Sequence, residues 1–594
     1  MNEVFGKIHA DLLVKIQAEP EKRFQILVRF PKEWYEKIGQ YVSKELLFDS
    51  IKALFGFWDR RFGNIVFLDF IEAENLGLYY VVLEIKGRLI PTLEKFPDVE
   101  WIAEDMKCYA IPLNVDPDGI SGSNIFQPSI NQTVPYLGFD KIHQDERFID
   151  KGLGKDGPPM GIADTGGPTD SSGSKWRWLY EHPEKYGTPD QGKYRVLESK
   201  DFTGSPYGPV DDVGHDSHCV NIMASAGEKY YGCVPQGRLY SAKVLLYGSG
   251  YTSWIINGIN WLVGKGCKVI NLSLGSEENT DGTDELSVAC DKAWDLDVYV
   301  SIAAGNSGTK NRPYCEGTLG APACSKKCAV SGATSGVKSQ PEQTQYWSSR
   351  PPTKDGRKFE LKYVVAPGLK INGYDGRMDG QSGTSFATPF HSALAWVLRI
   401  IHPDWTNEQV WQAIKNTAAP LGYKDAYGKE EGFCLEGYGR IDAWAAYNYT
   451  GITPPECEEG SVEVIEYCPD GVTWRRRKVC VSGKWKEESQ TCPEVPPECE
   501  EGSVEIIEYC PDGQTWKRRK VCRSGKWVEE IQPCPEVPPA EKMLCPWLDF
   551  ENEDPAVVQK HVLDTHCPKC PPLPSTGYCP RWLRSLLGCE IPSD

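Results

Sequence analysis

The sequence predicts an α/β fold: a parallel sheet with helices on both faces, preceded by a small α+β unit and followed by small cysteine-rich β modules. Three observations carry this. Residues 134–449 alternate short apolar strands with helical stretches, the pattern of strands buried on both faces by crossover helices. Residues 22–110 mix strand and helix patterns in a length suited to one small unit. After 451 the composition changes abruptly and cysteine-bearing segments repeat. At 594 residues the chain exceeds what one core supports.

In the first unit, 24–30 (FQILVRF), 79–85 (YYVVLEI) and 99–103 (VEWIA) read as strands, 34–55 as a helix and 89–96 as a short helix. The unit is taken as 1–113. Residues 114–133, rich in Asn, Pro, Gly and Ser, read as a linker. In the central unit, 134–450, strands are expected at 160–163, 241–245, 269–272, 298–304 and 363–366. Helices are expected at 254–264, 285–296 and 386–401. In such sheets ligands bind beyond the carboxyl ends of the strands.

The stretch GQSGTSFATPFHSALAWVLRIIHP (380–403) couples a small-residue turn to an apolar helix. Apolar residues at 386, 390, 393, 394, 397, 398 and 401 follow helical spacing. Pro389 is tolerated near the first turn, and Pro403 fits a stop. A hydroxyl at such a helix start, Ser385, meets free N–H groups and the positive end of the macrodipole. Taken alone it is also an ordinary helix cap.

Beyond 451 two near copies follow each other, 456–493 and 498–535. Cys457, Cys468, Cys480 and Cys492 map onto Cys499, Cys510, Cys522 and Cys534 at an offset of 42. Units this small need staples, so two disulfides per copy are expected; four cysteines allow three connectivities. Paired tryptophans (Trp474/Trp485, Trp516/Trp527) and basic runs at 475–478 and 517–520 point to a surface or acidic-polymer ligand, with solvated strands as the alternative. In the tail, 541–594, Cys567 and Cys570 with His561 and His566 have zinc-ligand spacing, with disulfides as the alternative.

Net charge is −18, from 65 Lys and Arg against 83 Asp and Glu. That excludes nucleic acid as the main partner and implies an acidic surface. No apolar run reaches transmembrane length. The start, MNEVFGKIHADLLVKIQAEPEKR, lacks the apolar core of a secretory leader. Cysteine points the other way: of 22, 13 follow residue 450, a density that favours an oxidising compartment. Extracellular location is therefore favoured and a cytoplasmic one is the alternative.

Four motifs carry chemistry. Gly161-Ile-Ala-Asp-Thr-Gly166 ends an apolar strand on Asp164. Asp211-Asp-Val-Gly-His-Asp-Ser-His218 presents His215, with His218 as a structural partner. Gly305-Asn-Ser-Gly308 presents Asn306. Gly383-Thr-Ser-Phe386 presents Ser385. Acyl transfer by serine needs a hydroxyl, a base, a carboxylate that orients the base, and donors for the oxyanion. Each motif has a bland reading by itself. Together, in the order Asp, His, Asn, Ser, they resemble the subtilisin-like serine proteases. Gly439-Arg-Ile-Asp-Ala443 resembles that family's closing segment, and the resemblance covers about 134–449.

The resemblance implies a serine endopeptidase with Asp164, His215 and Ser385 as triad and the Asn306 amide in the oxyanion hole. It implies polypeptide substrates and no organic cofactor. Gly248, Ser249 and Gly250 on one side, and Ser273, Leu274 and Gly275 on the other, resemble the edges that pair with extended substrate. Residues 1–113 resemble an inhibitory propeptide, with cleavage expected in 114–133. Calcium is implied by the family; its ligands are open, with the acidic loops 201–212 and 277–285 as candidates. Cys219, Cys267, Cys290, Cys315, Cys324 and Cys328 are expected to be disulfide-bonded in part. Two departures stand out: Asp216 where the family has glycine and Ser217 where it has threonine. Asp216 suits a backbone at positive φ, and as a carboxylate it would favour the His215 imidazolium and move the pH optimum upward. It also sustains the competing picture of a binding protein on an inactive scaffold. The missing leader sustains a third, an intracellular processing protease.

Overall fold

Seven parallel strands form the central sheet of the computed structural model. The structure describes residues 7–32, 65–95, 98–110, 129–169, 174–175, 179, 193–227, 230–338, 341–373, 380–451, 461–468, 473–481, 484–492, 500, 502–510, 515–523, 526–534, 543–544 and 551–552. The expected helix at 34–55, most of the 114–133 linker, and the cysteines and histidines of the 541–594 tail lie outside these. The chain forms two compact units, Met1–Ile452 and Thr453–Asp594.

The first unit opens with helix α1 (Ala10–Ala18) and strands β1 (Arg23–Phe30), β2 (Ile65–Ala73), β3 (Leu78–Lys86) and β4 (Trp101–Glu104). They pair in the order β2-β3-β1-β4. The run YYVVLEI is apolar throughout because both faces of β3 are covered. Tyr79, Val81, Leu83 and Ile85 share a core with Leu12 and Ile16 of α1. Tyr80 and Val82 join the core of the large sheet instead, as period-two alternation requires. Strand β5 (Lys107–Ala110) leaves this four-stranded sheet and pairs with later strands of the same unit.

The large sheet takes β6 (Met160–Asp164), β7 (Val196–Asp201), then helix α2 (His215–Ala224) and β8 (Leu239–Lys243). Next come the short β9 (Ser249–Tyr251), helix α3 (Thr252–Gly264), β10 (Val269–Leu272) and the short β11 (Leu274–Gly275). Helix α4 (Glu285–Asp295), β12 (Tyr299–Ala303), β13 (Ala329–Thr334), β14 (Lys362–Pro367) and helix α5 (Thr384–Ile401) complete it. The strand order is β14-β13-β12-β10-β6-β8-β7. α5 packs on β10, β12, β13 and β14 and against α2, while α3 packs on β6 and β8 and against α4. α5 is buried from Thr384 to Ile400, which is why its apolar spacing was so dense. β7 and β13 were not foreseen: β7 is a polar edge strand, VLESKD, and β13, AVSGAT, is built of small residues.

The second unit holds two three-stranded antiparallel sheets: β15 (Val462–Tyr467), β16 (Trp474–Val481) and β17 (Lys484–Ser489), then β18 (Val504–Tyr509), β19 (Trp516–Arg523) and β20 (Lys526–Ile531). In each copy the second cysteine bonds the fourth, Cys468–Cys492 and Cys510–Cys534. The basic runs lie across from glutamates. Arg475 pairs with Glu466, Arg476 with Glu487, Arg477 with Glu488, Arg518 with Glu529 and Arg519 with Glu530. Such exposed ladders contribute little stability, but they neutralise the positive face that an acidic polymer would need.

Among the described residues, no helix is long and apolar enough to cross a membrane. Cys315 bonds Cys434. Cys315 is thus the one of the six bonded; Cys219, Cys267, Cys290, Cys324 and Cys328 are buried free thiols that fill core positions as small apolar groups.

Candidate active site

Two neighbouring strands and two helix starts build the site. Asp164 is the last residue of β6, and β6 lies between β10 and β8 in the middle of the sheet. His215 is the first residue of α2, after Gly214 at φ 90°. Its Nδ1 lies 2.7 Å from Asp164 Oδ1, and both side chains are fully buried. The backbone N–H of Thr165 donates to the same carboxylate oxygen at 2.7 Å. Asp211 holds the turn before α2. It accepts from Thr165 Oγ1 at 2.8 Å, from the N–H of Gly214 at 2.8 Å and from Ser217 Oγ at 2.6 Å. Ser217, one of the two departures, therefore keeps a hydroxyl where the turn uses one. His218 stacks on Phe386 at 4.4 Å between ring centroids, a packing role.

Ser385 is the second residue of α5, so its backbone N–H is one of those without an intrahelical acceptor. Its Oγ donates to the carbonyl of Ser273 at 3.0 Å. His215 Nε2 has no hydrogen-bond partner among the described residues. Asn306 is anchored through Oδ1, which accepts from Thr384 N–H at 3.0 Å and Thr384 Oγ1 at 3.1 Å. Asn306 is thereby held against Thr384, the residue before Ser385. Cys219 lies behind the pair; its Sγ is 3.5 Å from the Ser385 carbonyl. Burial, with Asp164 nearby, pushes this thiol well up, so it is not a competing nucleophile.

The two expected edges form one slot. β5 fills it, in the order β11-β5-β9. Leu274 pairs with Ala110 and Gly275 with Tyr109; Ser249 pairs with Tyr109 and Gly250 with Cys108. The Ala110 N–H donates to the Gly248 carbonyl at 2.9 Å. A side chain at Gly250 would put its Cβ 2.2 Å from the Val244 carbonyl, so this edge needs glycine. Cys108 is fully buried and Tyr109 is 40% exposed: alternate residues of a bound strand point into the protein and out of it. Ser273 stands just beyond the pairing. Its carbonyl holds the Ser385 hydroxyl, and its own Oγ donates to the Ser385 carbonyl at 2.8 Å.

The N-terminal unit is fastened beside this slot by groups that sequence reading missed. Asp105 accepts from Ser253 N–H and Ser253 Oγ, both at 2.8 Å, acting as the N-cap of α3 from outside it. Burial pushes its carboxyl up to about 6. Arg29 reaches Glu285 at 3.0 Å, and Tyr80 donates to Glu285 at 2.6 Å. Burial also raises Glu285, against the pull of Arg29.

Asp216 is helical, without positive φ, so the backbone reason for an aspartate there is absent. In the acidic loops, three carboxylates hold the backbone of their own turns. Asp201 accepts from the N–H groups of Thr203 and Ser205, Asp281 from Thr283, and Asp284 caps α4 through Ser287.

A family model described as the subtilase family matches residues 155–439. Subtilisin from Bacillus pumilus is 34% identical over 234 residues, 38% of this chain and 78% of that protein. Subtilisin E from Bacillus subtilis (strain 168) is 34% identical over 234 residues, and the chain spans 57% of its length. Serine protease AprX of the same organism is 30% identical over 272 residues, 40% of this chain and 58% of that one. Among solved structures, fervidolysin from Fervidobacterium pennivorans aligns over 77% of this chain and 65% of its own, with a TM-score of 0.47 and 17% identity.

Proposed function

The chain belongs to the subtilase family of serine proteases, and from that premise we propose that it is an endopeptidase held inactive by its own N-terminal unit. One observation carries this: a buried Asp164–His215 pair at 2.7 Å lies by the start of α5, beside a peptide slot that the chain's own residues 107–110 occupy. In this reading Ser385 Oγ attacks the scissile carbonyl, and His215 Nε2 takes its proton. Asp164 fixes the imidazole through Nδ1 and offsets the positive charge it gains. The oxyanion is met by the Asn306 amide and the Ser385 N–H. His215 then protonates the leaving amine, and water reverses the sequence to free the acid.

For attack, the Ser385 hydroxyl turns from the Ser273 carbonyl to His215 Nε2. Substrate takes the place of β5, so affinity comes from backbone pairing and selectivity from side-chain pockets. The pocket filled by Cys108 favours a small apolar side chain. Residues 1–113 act as inhibitor and 114–133 carry the processing site. The repeats, 456–493 and 498–535, are stability or targeting modules, and the disulfides favour an extracellular site of action. Calcium remains a family expectation, and no step runs through it.

The test is labelling with a fluorophosphonate probe, wild type beside Ser385→Ala, before and after loss of the N-terminal unit. Labelling that needs Ser385 and rises as the N-terminal unit is lost is expected. A folded chain that has lost this unit and takes no label overturns the proposal in favour of a binding scaffold.

A further inference from the structure

Asp216 follows the proposed base directly and is fully buried in the first turn of α2. Its Oδ2 accepts from Ser241 Oγ at 3.0 Å. Its Oδ1 is buried without a hydrogen-bond partner among the described residues, and so is Asp164 Oδ2. Three constraints place Asp216 on the side of Asp164. The Asp216 N–H donates to Thr165 Oγ1 at 3.0 Å, next in chain to Asp164. Ser241 stands opposite Ile162 in the β6–β8 pairing, and Ile162 shares a sheet face with Asp164 two residues on. His215, in the same turn as Asp216, holds the other oxygen of Asp164.

The charged groups around Asp216 decide its state. Asp164 and Asp211 face it, and burial with these two charges pushes its carboxyl well above the usual range. Lys243 pulls the other way, but its ammonium is bound to Asp212 at 2.9 Å and to the Thr165 carbonyl at 2.6 Å. The helix N-terminus favours an anion, by much less than burial of a third carboxylate costs. A neutral carboxylic acid has one O–H to give. Ser241 already donates to Oδ2, so the proton sits on Oδ1.

We propose that Asp216 is a protonated positioning residue that donates from Oδ1 to the second oxygen of Asp164, fixing the plane in which that carboxylate meets His215. This rests on the triad reading above. It reverses the expectation that Asp216 acts as a negative charge on His215: the residue supplies a hydrogen bond and no charge.

Asp216→Asn keeps a neutral donor; Asp216→Ala removes it. Asp216→Asn is expected to keep kcat within about threefold and to leave the acid limb of kcat/KM in place. Asp216→Ala is expected to lose about ten- to a hundredfold in kcat with KM unchanged, the loss for one hydrogen bond to a charged group. An acid limb that moves down by about one pH unit in Asp216→Asn marks a resting carboxylate and overturns the proposal; so does wild-type kcat in Asp216→Ala. An infrared difference spectrum of the full chain carrying Ser385→Ala, with and without Asp216→Asn, needs no activity. The carbonyl stretch of a protonated carboxyl at neutral pH is expected in the chain that keeps Asp216 and not in the one carrying Asp216→Asn, and its absence from the chain that keeps Asp216 overturns the proposal. An inactive wild type that still shows the band would sink the protease reading alone.

Discussion

The attachment of the N-terminal unit is expected to loosen as pH rises through the mildly acidic range, with Asp105 as the main titrating group. Asp105 is 3% exposed and joins Gln25 of its own unit, at 2.6 Å, to Ser253 of α3. Burial dominates over these hydrogen bonds and lifts the carboxyl to about 6. Against an ordinary aspartate this is a rise of about two units, or about 3 kcal/mol between the two protonation states. A raised carboxyl favours the protonated, attached form. Its contribution is full below about pH 4, falls away as pH climbs to about 6, and is flat above. Opening of the slot strand is therefore expected to become up to about a hundredfold easier between pH 4 and 7. Glu285, also raised, adds in the same direction. The assay is hydrogen exchange of amides 107–110 in the full Ser385→Ala chain, corrected for intrinsic exchange rates. Asp105→Asn should leave only the shallower slope due to Glu285. A flat profile in the chain that keeps Asp105, or an unchanged slope in Asp105→Asn, refutes the reasoning.

Three further outcomes are expected. Asn306→Ala should lower kcat by about 10²–10³ with little change in KM, the loss for one oxyanion donor; steady-state kinetics on a peptide amide checks it. A peptide in the slot presents to Ser385 the residue that faces Ser273. In this chain the residues after Ala110 are Ile111 and Pro112, and a prolyl nitrogen, with its ring carbon in place of the N–H, is a poor group for His215 to expel. Mass spectrometry of the mature N-terminus should find a cut beyond Pro112, within 114–133. Cys468→Ser with Cys492→Ser opens a loop of 24 residues and should cost the first repeat about 3 kcal/mol. Protease resistance of 461–492 reads this out; unaltered resistance would show that the sheet stands without its staple.

The elements that carry the candidate site were legible because each is a local pattern. β6 is an apolar run that stops at Asp164, and α5 is an apolar helix whose first turn must be made of small residues. The slot edges were legible through their resemblance to the family's substrate-pairing segments. What remained hidden depends on distant partners. Asp105 reads as one acid among many until Ser253, 148 residues away, meets it. The Cys315–Cys434 bond spans 119 residues, and neither cysteine has a local signature. Asp216 was noticed, but its charge state follows from Asp164, Asp211 and burial, none of which its neighbours in sequence reveal. β7 and β13 escaped because strands made of polar or small residues carry no period-two signal.

In the β11-β5-β9 sheet, β5 joins β9 to β11, and this bears on the order in which the chain folds. The N-terminal sheet pairs β2 with β3 across a short turn, an antiparallel contact that forms early. The seven-stranded parallel sheet must close long loops before any of its pairings stabilise it, and is slow. A finished N-terminal unit offers β9 and β11 a ready strand between them, and gives α3 the cap it lacks. It thus lowers the barrier to the slowest step. If that unit is removed, as proposed above, the unlowered barrier stands in the reverse direction. Under the proposed processing, the lifetime of the remaining chain is governed by how seldom it crosses back, a kinetic rather than an equilibrium stability.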